Sequence, residues 1–278
     1  MPVSALRFLR KMRGGAQAHL LEAADGKCYI VKFTNNPQSR RILVNEWIAA
    51  AVLKYLDIAQ PEVALIDITA DFLKQHPEVH FQLGSSRKPV EVGWHFGSAF
   101  PGDPRKQAVY DFLPDVLLEK VFNRQQFMGA LAFDKWTANS DSRQSIFFRA
   151  RIEQWYPTPG VAEDRVGFLA QMIDHGYIFD GPHWSFNDSP LSGLYMRTDI
   201  YRDVRGYASF EPWLERIRHF PAEVIDKALR EIPPQWLAEE DQPALEKMLE
   251  RLMRRRSGVA DLIRDLKRGR SDPFPNWQ

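Results

Sequence analysis

The stretch FDKWTANSDSRQSIFF, residues 133–148, gathers Asp134, Asn139, Asp141 and Arg143 into one polar loop between an apolar helix end and a short apolar run. Further on, after VGFLAQMI, Asp174 opens the tripeptide Asp-His-Gly. Carboxylates and carboxamides at the ends of helices and strands are where magnesium is held, because this hard cation takes oxygen ligands and keeps several waters. Asp134, Asn139 and Asp174 would therefore suit phosphate chemistry. Each alone is more often a cap or a turn former, so the combination carries the argument.

Two further stretches supply charge of the kind a phosphate site needs. In CYIVKF the period-two alternation puts Cys28, Ile30 and Lys32 on one face. An ammonium among apolar neighbours costs free energy unless something negative meets it. Downstream, Ile42, Glu46, Ala49, Leu53 and Leu56 recur at helical spacing, and Glu46 interrupts that apolar stripe. A Lys32–Glu46 ion pair between strand and helix is the economical expectation, with a plain stabilising bridge as the alternative. Upstream, Gly14 and Gly15 lie in RGGAQA between two strands, where backbone N–H groups can approach phosphate oxygens, although hairpin turns also use Gly-Gly. Phosphoryl transfer needs a positioned nucleophile, a metal across the β- and γ-phosphates and a neutralising lysine, and candidates for each are present.

The elements that must position these residues follow from patterning. Alternation over ALRFLRKM, AHLLEAA and CYIVKF predicts three antiparallel strands, with Asp25-Gly26 as a tight hairpin signal. RRILVNEWIAAAVLKYL predicts a helix. PEVALIDI and VEVGWHFGSAF read as strands, with TADFLKQH a short helix between them. From about Tyr110 the pattern turns helical in YDFLPDVLLEKVF and RQQFMGALAFD, and QSIFFRA and RVGFLAQMID read as strands flanking the turn-rich EQWYPTPGVAED. The tail reads as helices in FPAEVIDKALREI, QPALEKMLERLMRRR and ADLIRDLKRG. The expected fold is α+β and two-lobed, with a small strand-rich N-terminal lobe over residues 1–108 and a larger helical C-terminal lobe over 109–278.

Composition sets the outer bounds. The 278 residues are 44% hydrophobic and 26% charged, as in folded globular chains, and the net charge of +1 gives no global field toward nucleic acid or membrane. No apolar run approaches the about 20 residues that span a bilayer. Cys28 is the only cysteine, which rules out an internal disulfide and fits a reducing compartment, so a cytoplasmic location is expected. The opening MPVSALRFLRKMRGG lacks a signal peptide's apolar core.

The order of glycine-pair hairpin, YIVKF, VNEW, FDKWTAN and MIDHG resembles the HipA-like kinases, whose fold is related to protein kinases and phosphoinositide lipid kinases. The resemblance spans roughly residues 5 to 180 and implies an ATP-dependent kinase using Mg²⁺. It implies Asp134 as the residue orienting the acceptor hydroxyl, Asn139 and Asp174 as metal ligands, Lys32 on the α/β-phosphates and Glu46 as its support. It also implies ATP and a hydroxyl acceptor, most simply a protein Ser or Thr, as partners; a catalytically silent, nucleotide-responsive binding module is the alternative. Larger HipA proteins carry an extra N-terminal module and an antitoxin partner; this chain starts almost at the first lobe strand, so an antitoxin partner is not expected. The loop RGGAQAH holds no Ser or Thr, so control by phosphorylation of that loop is not expected either.

Other features weigh less. His76 and His80 are four apart, but Pro77 between them argues against a helical metal pair. His175 reads as a structural contact beside Asp174. The arginines of MLERLMRRRSGVADLIRDLKRGR read as a solvated helical face, with docking of an acidic partner as the alternative. Trp184, Trp213 and Trp236 could line an acceptor cleft, though filling of the helical lobe is the commoner role.

Overall fold

A computed structural model describes residues 1–156 and 165–278. Five strands close into a barrel in the order β1 (Val3–Lys11), β2 (His19–Ala23), β3 (Cys28–Lys32), β7 (Gly93–Ala99) and β4 (Val63–Ile68). Neighbours run antiparallel except β4, which closes the barrel by pairing parallel to β1. The β2–β3 turn has Gly26 at φ 79°, a left-handed conformation that a glycine adopts without strain. Helix α1 (Arg41–Leu56) follows β3, and the short α2 (Ala70–Gln75) follows β4, capped by the Thr69 hydroxyl accepting from Phe72 N–H. The hairpin β5 (His80–Leu83) and β6 (Ser86–Pro89) lies outside the sequence expectation. Its residues are mostly exposed, so it leaves little apolar alternation to read.

The C-terminal half opens with β8 (Val109–Tyr110) and α3 (Asp115–Leu118), shorter than the helix expected over 110–122 because Pro114 permits helix only after it. Helix α4 (Gln126–Thr137) is buried along its whole length. The strands β9 (Gln144–Arg151) and β10 (Val166–Ile173) pair antiparallel over eight residues each. Of the segment expected to be turn-rich between them, residues 157–164 lie outside the described residues. Helices α5 (Trp213–Arg218), α6 (Ala222–Glu231), α7 (Gln242–Arg254) and α8 (Val259–Arg268) complete this half; the last three match the helical tail pattern, and α5 lies outside the sequence expectation.

Two apolar cores result. The barrel encloses one, with Val31, Phe33, Ile66 and Phe81 fully buried. The other joins α4 and the C-terminal helices to Leu43, Val44, Ile48, Val52 and Leu53 of α1. Helix α1 thus belongs by sequence order to the strand-rich half and by packing to the helical one, which is why its buried residues surround the axis instead of forming one stripe.

The barrel core also holds two histidines. His95 accepts from Thr34 N–H at Nδ1 (3.1 Å), so its Nε2 carries the proton and donates to Glu91 O (2.9 Å). His19 is fully buried between the rings of Phe8 and Phe33. Burial pushes both imidazoles down to about 4, with Lys11 and His80 adding to the effect at His19. In the unfolded chain each titrates near 6.5, so below that pH the unfolded state binds more protons and stability falls as pH drops from 6.5 to 4. Neutral histidines contribute fully above pH 6.5, and the expected loss by pH 4 is on the order of 3 kcal/mol for each. Urea titrations at pH 7, 5.5 and 4.5 check this: His95→Gln should flatten the dependence, and an unchanged slope would refute the assignment.

Candidate active site

Strand β3 points Tyr29 and Val31 into the barrel and leaves Ile30 and Lys32 facing a cleft of about 770 Å³ between barrel and helical half. The Gly14–Gly15 loop joining β1 to β2 roofs one end of this cleft, and the chain after β7, at Phe100 and Pro101, walls the other. Gly14 sits at φ 119°, which restricts the position to glycine. Gln17 pins the loop to β5, donating through Nε2 to Gln82 O (2.8 Å) and accepting from Gln82 N–H (2.7 Å).

Lys32 ion-pairs with Glu46 of α1 and, at 2.7 Å, with Asp174 just after β10. Burial alone would depress this ammonium, but the Asp174 and Glu46 carboxylates outweigh it and hold Lys32 well above its ordinary value. Lys32 in turn holds Asp174 below the usual carboxylate range, against burial. Glu46, almost fully buried, is pushed up by burial against the pull of Lys32. The expected strand–helix pair is therefore present, and it is one side of a triad closed by Asp174. Glu46 pairs with Lys32 and is itself part of the cleft wall.

The two carboxylates of residues 134–143 are placed differently from the expectation. Asp134 is fully buried on α4, beneath the cleft. Arg143, also buried, grips it twice: Nη2 donates to Oδ1, and Nε donates to Oδ2 at 2.8 Å. Burial pushes the Asp134 carboxyl up, and Arg143 and the Asn139 amide oppose that. Since a guanidinium stays protonated and offers a matched fork, the pair is ionic. Gly193 covers Asp134 so closely that a Cβ at Gly193 would overlap the aspartate's own Cβ. Asn139 is buried too, its Nδ2 donating to Asp134 Oδ1 (2.9 Å) and its Oδ1 accepting from Asp141 N–H (3.2 Å). Asp134 and Asn139 do not line the cleft; Asp141, Arg143, Gln144 and Asp174 do.

Arg143 is the hub of this floor. Its Nη1 donates to Ile173 O (3.0 Å) and to His175 Nδ1 (2.9 Å), so His175 carries its proton on Nε2, which donates to Met172 O (3.2 Å). Burial and the neighbouring Arg143 hold His175 far below its ordinary value, so it is a neutral structural contact. By gripping the residues on both sides of Asp174, the Asp134–Arg143 pair fixes that carboxylate from below. The sequence held a signal for this: a carboxylate inside an apolar helix needs a cation, and Arg143 lies within one loop of it.

Oxygen donors for a cation converge at the mouth. The Gln144 amide sits beside both carboxylates, with Nε2 3.4 Å from Asp141 Oδ2 and a second contact to Asp174. Among the described residues no group of three or more His, Cys, Asp or Glu could cage a metal by itself. One carboxylate plus one amide oxygen, completed by phosphate and water, is the donor set that suits Mg²⁺.

The remaining candidates lie elsewhere. His76 and His80 make separate contacts, to Leu6 O and Glu78 and to Lys11 and Pro77 O. Trp213 packs against Gly129 in α4, Trp236 donates to Trp94 O (2.8 Å), and Trp184 donates to Asn45 Oδ1 (2.8 Å), so none lines the cleft. In the basic tail, Arg255 spends its guanidinium on Asp188 and the Lys135 and Trp136 carbonyls, Arg256 on the Met253 and Phe220 carbonyls, and Arg251 on Ser185 O. These arginines tie α7 and the residues after it to the loop at 185–188, to the end of α4 and to Phe220. No helix of the described residues is long and apolar enough to cross a membrane.

Comparison with known proteins adds the following. The family model for HipA-like kinases matches residues 6–148, just over half of the chain. Among solved structures, that of the Golgi casein kinase superposes with a TM-score of 0.51 at 10% identity, covering 97% of this chain and 72% of that one. The Helicobacter pylori proinflammatory kinase CtkA gives a TM-score of 0.51 at 12% identity, covering 95% of this chain and 98% of its own. The Golgi casein kinase with Mn/ADP bound gives 0.49 at 11% identity over 97% and 74% of the two chains. At such identities the likeness is one of fold, which is protein-kinase-like. No curated protein matches the sequence.

Proposed function

Because the chain belongs to the HipA-like kinase family, we propose that it transfers the γ-phosphoryl group of ATP to an aliphatic hydroxyl, that of a serine or threonine in a protein. The observation that carries this reading is the triad of Lys32, Glu46 and Asp174 in one cleft with Asp141. Residues 1–108 supply the phosphate loop and lysine, and 109–278 the catalytic loop and metal site.

Lys32, held cationic, neutralises charge on the α/β-phosphates, and the Gly14–Gly15 loop covers them with backbone N–H groups. Asp174 holds the metal, with the Gln144 amide oxygen taking the place expected of Asn139. When bound, Mg²⁺ offsets the negative charge on the β- and γ-phosphate oxygens. Asp141 replaces Asp134 as the residue that orients the acceptor hydroxyl. The acceptor oxygen bonds to the γ-phosphorus as the bridging β–γ oxygen bond breaks, ADP leaves with that electron pair, and the hydroxyl proton passes to the Asp141 carboxylate. A protein acceptor is favoured by Phe112, Val116 and Met196, which are 60%, 67% and 64% exposed. Phe112 and Met196 directly follow Asp111 and Tyr195, both in the cleft wall, and Val116 lies on α3 just beyond Phe112. A reducing, cytoplasmic setting fits the lone cysteine.

Calorimetric titration of ATP with Mg²⁺ into the wild type, followed by γ-³²P transfer to Ser- and Tyr-containing peptide pools, tests the reading. Metal-dependent binding with label on serine or threonine is the expected outcome. Absence of nucleotide binding would overturn it in favour of a kinase-fold scaffold.

A further inference from the structure

The segment from Asp174 to Phe186 departs from ordinary backbone in a concentrated way. Asp174, Phe179, Asp180, Trp184 and Phe186 all have left-handed φ values between 51° and 68°. Side chains rarely accept that region, and runs of such residues persist only where surrounding groups over-determine them. The end of α4 supplies part of this support, the Thr137 and Ala138 carbonyls accepting from Phe179 N–H (2.6 Å) and Asp180 N–H (3.2 Å), and α1 supplies the rest from side chains. Asn45 is fully buried and its Nδ2 donates to the carbonyls of Gly176 (2.7 Å), Gly181 (3.0 Å) and Ile178 (3.1 Å). Its Oδ1 accepts from Trp184 Nε1 at 2.8 Å, which fixes the amide's orientation. One turn earlier, Arg41 donates to Pro182 O (2.8 Å) and to Asp241 (2.6 and 2.9 Å), with its guanidinium 4.4 Å from the centroid of the Trp184 ring. Gly176 packs so tightly on Ile42 that a Cβ there would overlap it.

Asn45 precedes Glu46, and the segment it grips begins at Asp174. With Arg41 and the Ile42–Gly176 contact, this carboxamide therefore fixes α1, which carries Glu46, against the segment that opens with Asp174. We propose that Asn45 is the positioning residue of this site: it locks α1 to the Asp174–Trp184 segment, so that the Lys32–Glu46–Asp174 triad is assembled before nucleotide arrives and needs no separate activating step. In protein kinases the lysine–glutamate pair and the metal aspartate must both be in place, and control acts on the helix and the loop that carry them. Here those two elements are one hydrogen-bonded unit.

The proposal rests on the kinase reading, and its test separates the two. Mg-ATP affinity and amide hydrogen exchange are measured for the wild type, Asn45→Ala and Trp184→Phe, at a temperature where melting curves show each variant folded. The expected result for Asn45→Ala is at least tenfold weaker Mg-ATP binding and loss of protection confined to Asp174–Trp184. Trp184→Phe keeps the ring and removes only the donor, and it should shift both readouts in the same direction by less. A purely structural role would lower the melting temperature and leave affinity and local protection intact in the folded variants, which would overturn the proposal. Should Asn45→Ala fail to fold, Trp184→Phe decides: wild-type affinity and protection overturn the proposal. If the wild type itself does not bind Mg-ATP, the kinase reading fails, and the exchange pattern alone then decides whether Asn45 holds the segment.

Discussion

Asp141→Asn is expected to lower phosphoryl transfer by about 10²–10⁴-fold, the usual contribution of a positioned base, while leaving melting temperature and Mg-ATP affinity near wild type. Asp134→Ala is expected to behave in the opposite order. It leaves the Arg143 guanidinium buried without its partner, a defect worth about 3–5 kcal/mol. For a chain of this size that corresponds to a fall of on the order of 10 °C in Tm. The two variants part on thermal melting before any assay is run. Should Asp141→Asn retain full transfer and Asp134→Ala melt as the wild type, the roles given to the two carboxylates would be reversed.

The second large effect concerns the carboxylate shared with Lys32. Asp174→Asn keeps the left-handed backbone that Asn tolerates and leaves the Lys32–Glu46 pair intact, so the fold should stand. ATP affinity measured with and without Mg²⁺ should then converge in this variant, because the metal-dependent part of binding is gone. Lys32→Met should instead weaken ATP binding under both conditions, since its contact with phosphate requires no metal. Glu46, without a cation in a buried site, would take up a proton. Retention of a metal-dependent gain by Asp174→Asn would remove Asp174 from the metal site.

The Asn139 expectation shows how local structure can imitate a functional spacing. Helix α4 ends at Ala138, which turns left-handed at φ 50°, and Asn139 N–H then donates to Asp134 O at 2.9 Å. Its side chain returns to the same aspartate. A separation of five is what such a helix end requires, so Asp134 and Asn139 satisfy each other and neither reaches the cleft.

Several features were determined by sequence alone. Alternation placed β1 to β3, helical spacing placed α1 and the tail helices, and a lysine and a glutamate embedded in apolar patterns had to meet, because an unpaired buried charge is too costly. The motif order was sufficient to indicate the family. Tertiary structure alone decided which aspartate faces solvent. Asp134 and Asp141 are both acidic residues near one helix end, and they part because Asp134 lies on the buried α4, paired with Arg143 and covered by Gly193, while Asp141 stays in the cleft wall. It also decided the partners of Asn45, which reach 131 to 139 positions along the chain. Contacts that distant leave no periodicity to read; they exist only once both cores have packed around α1.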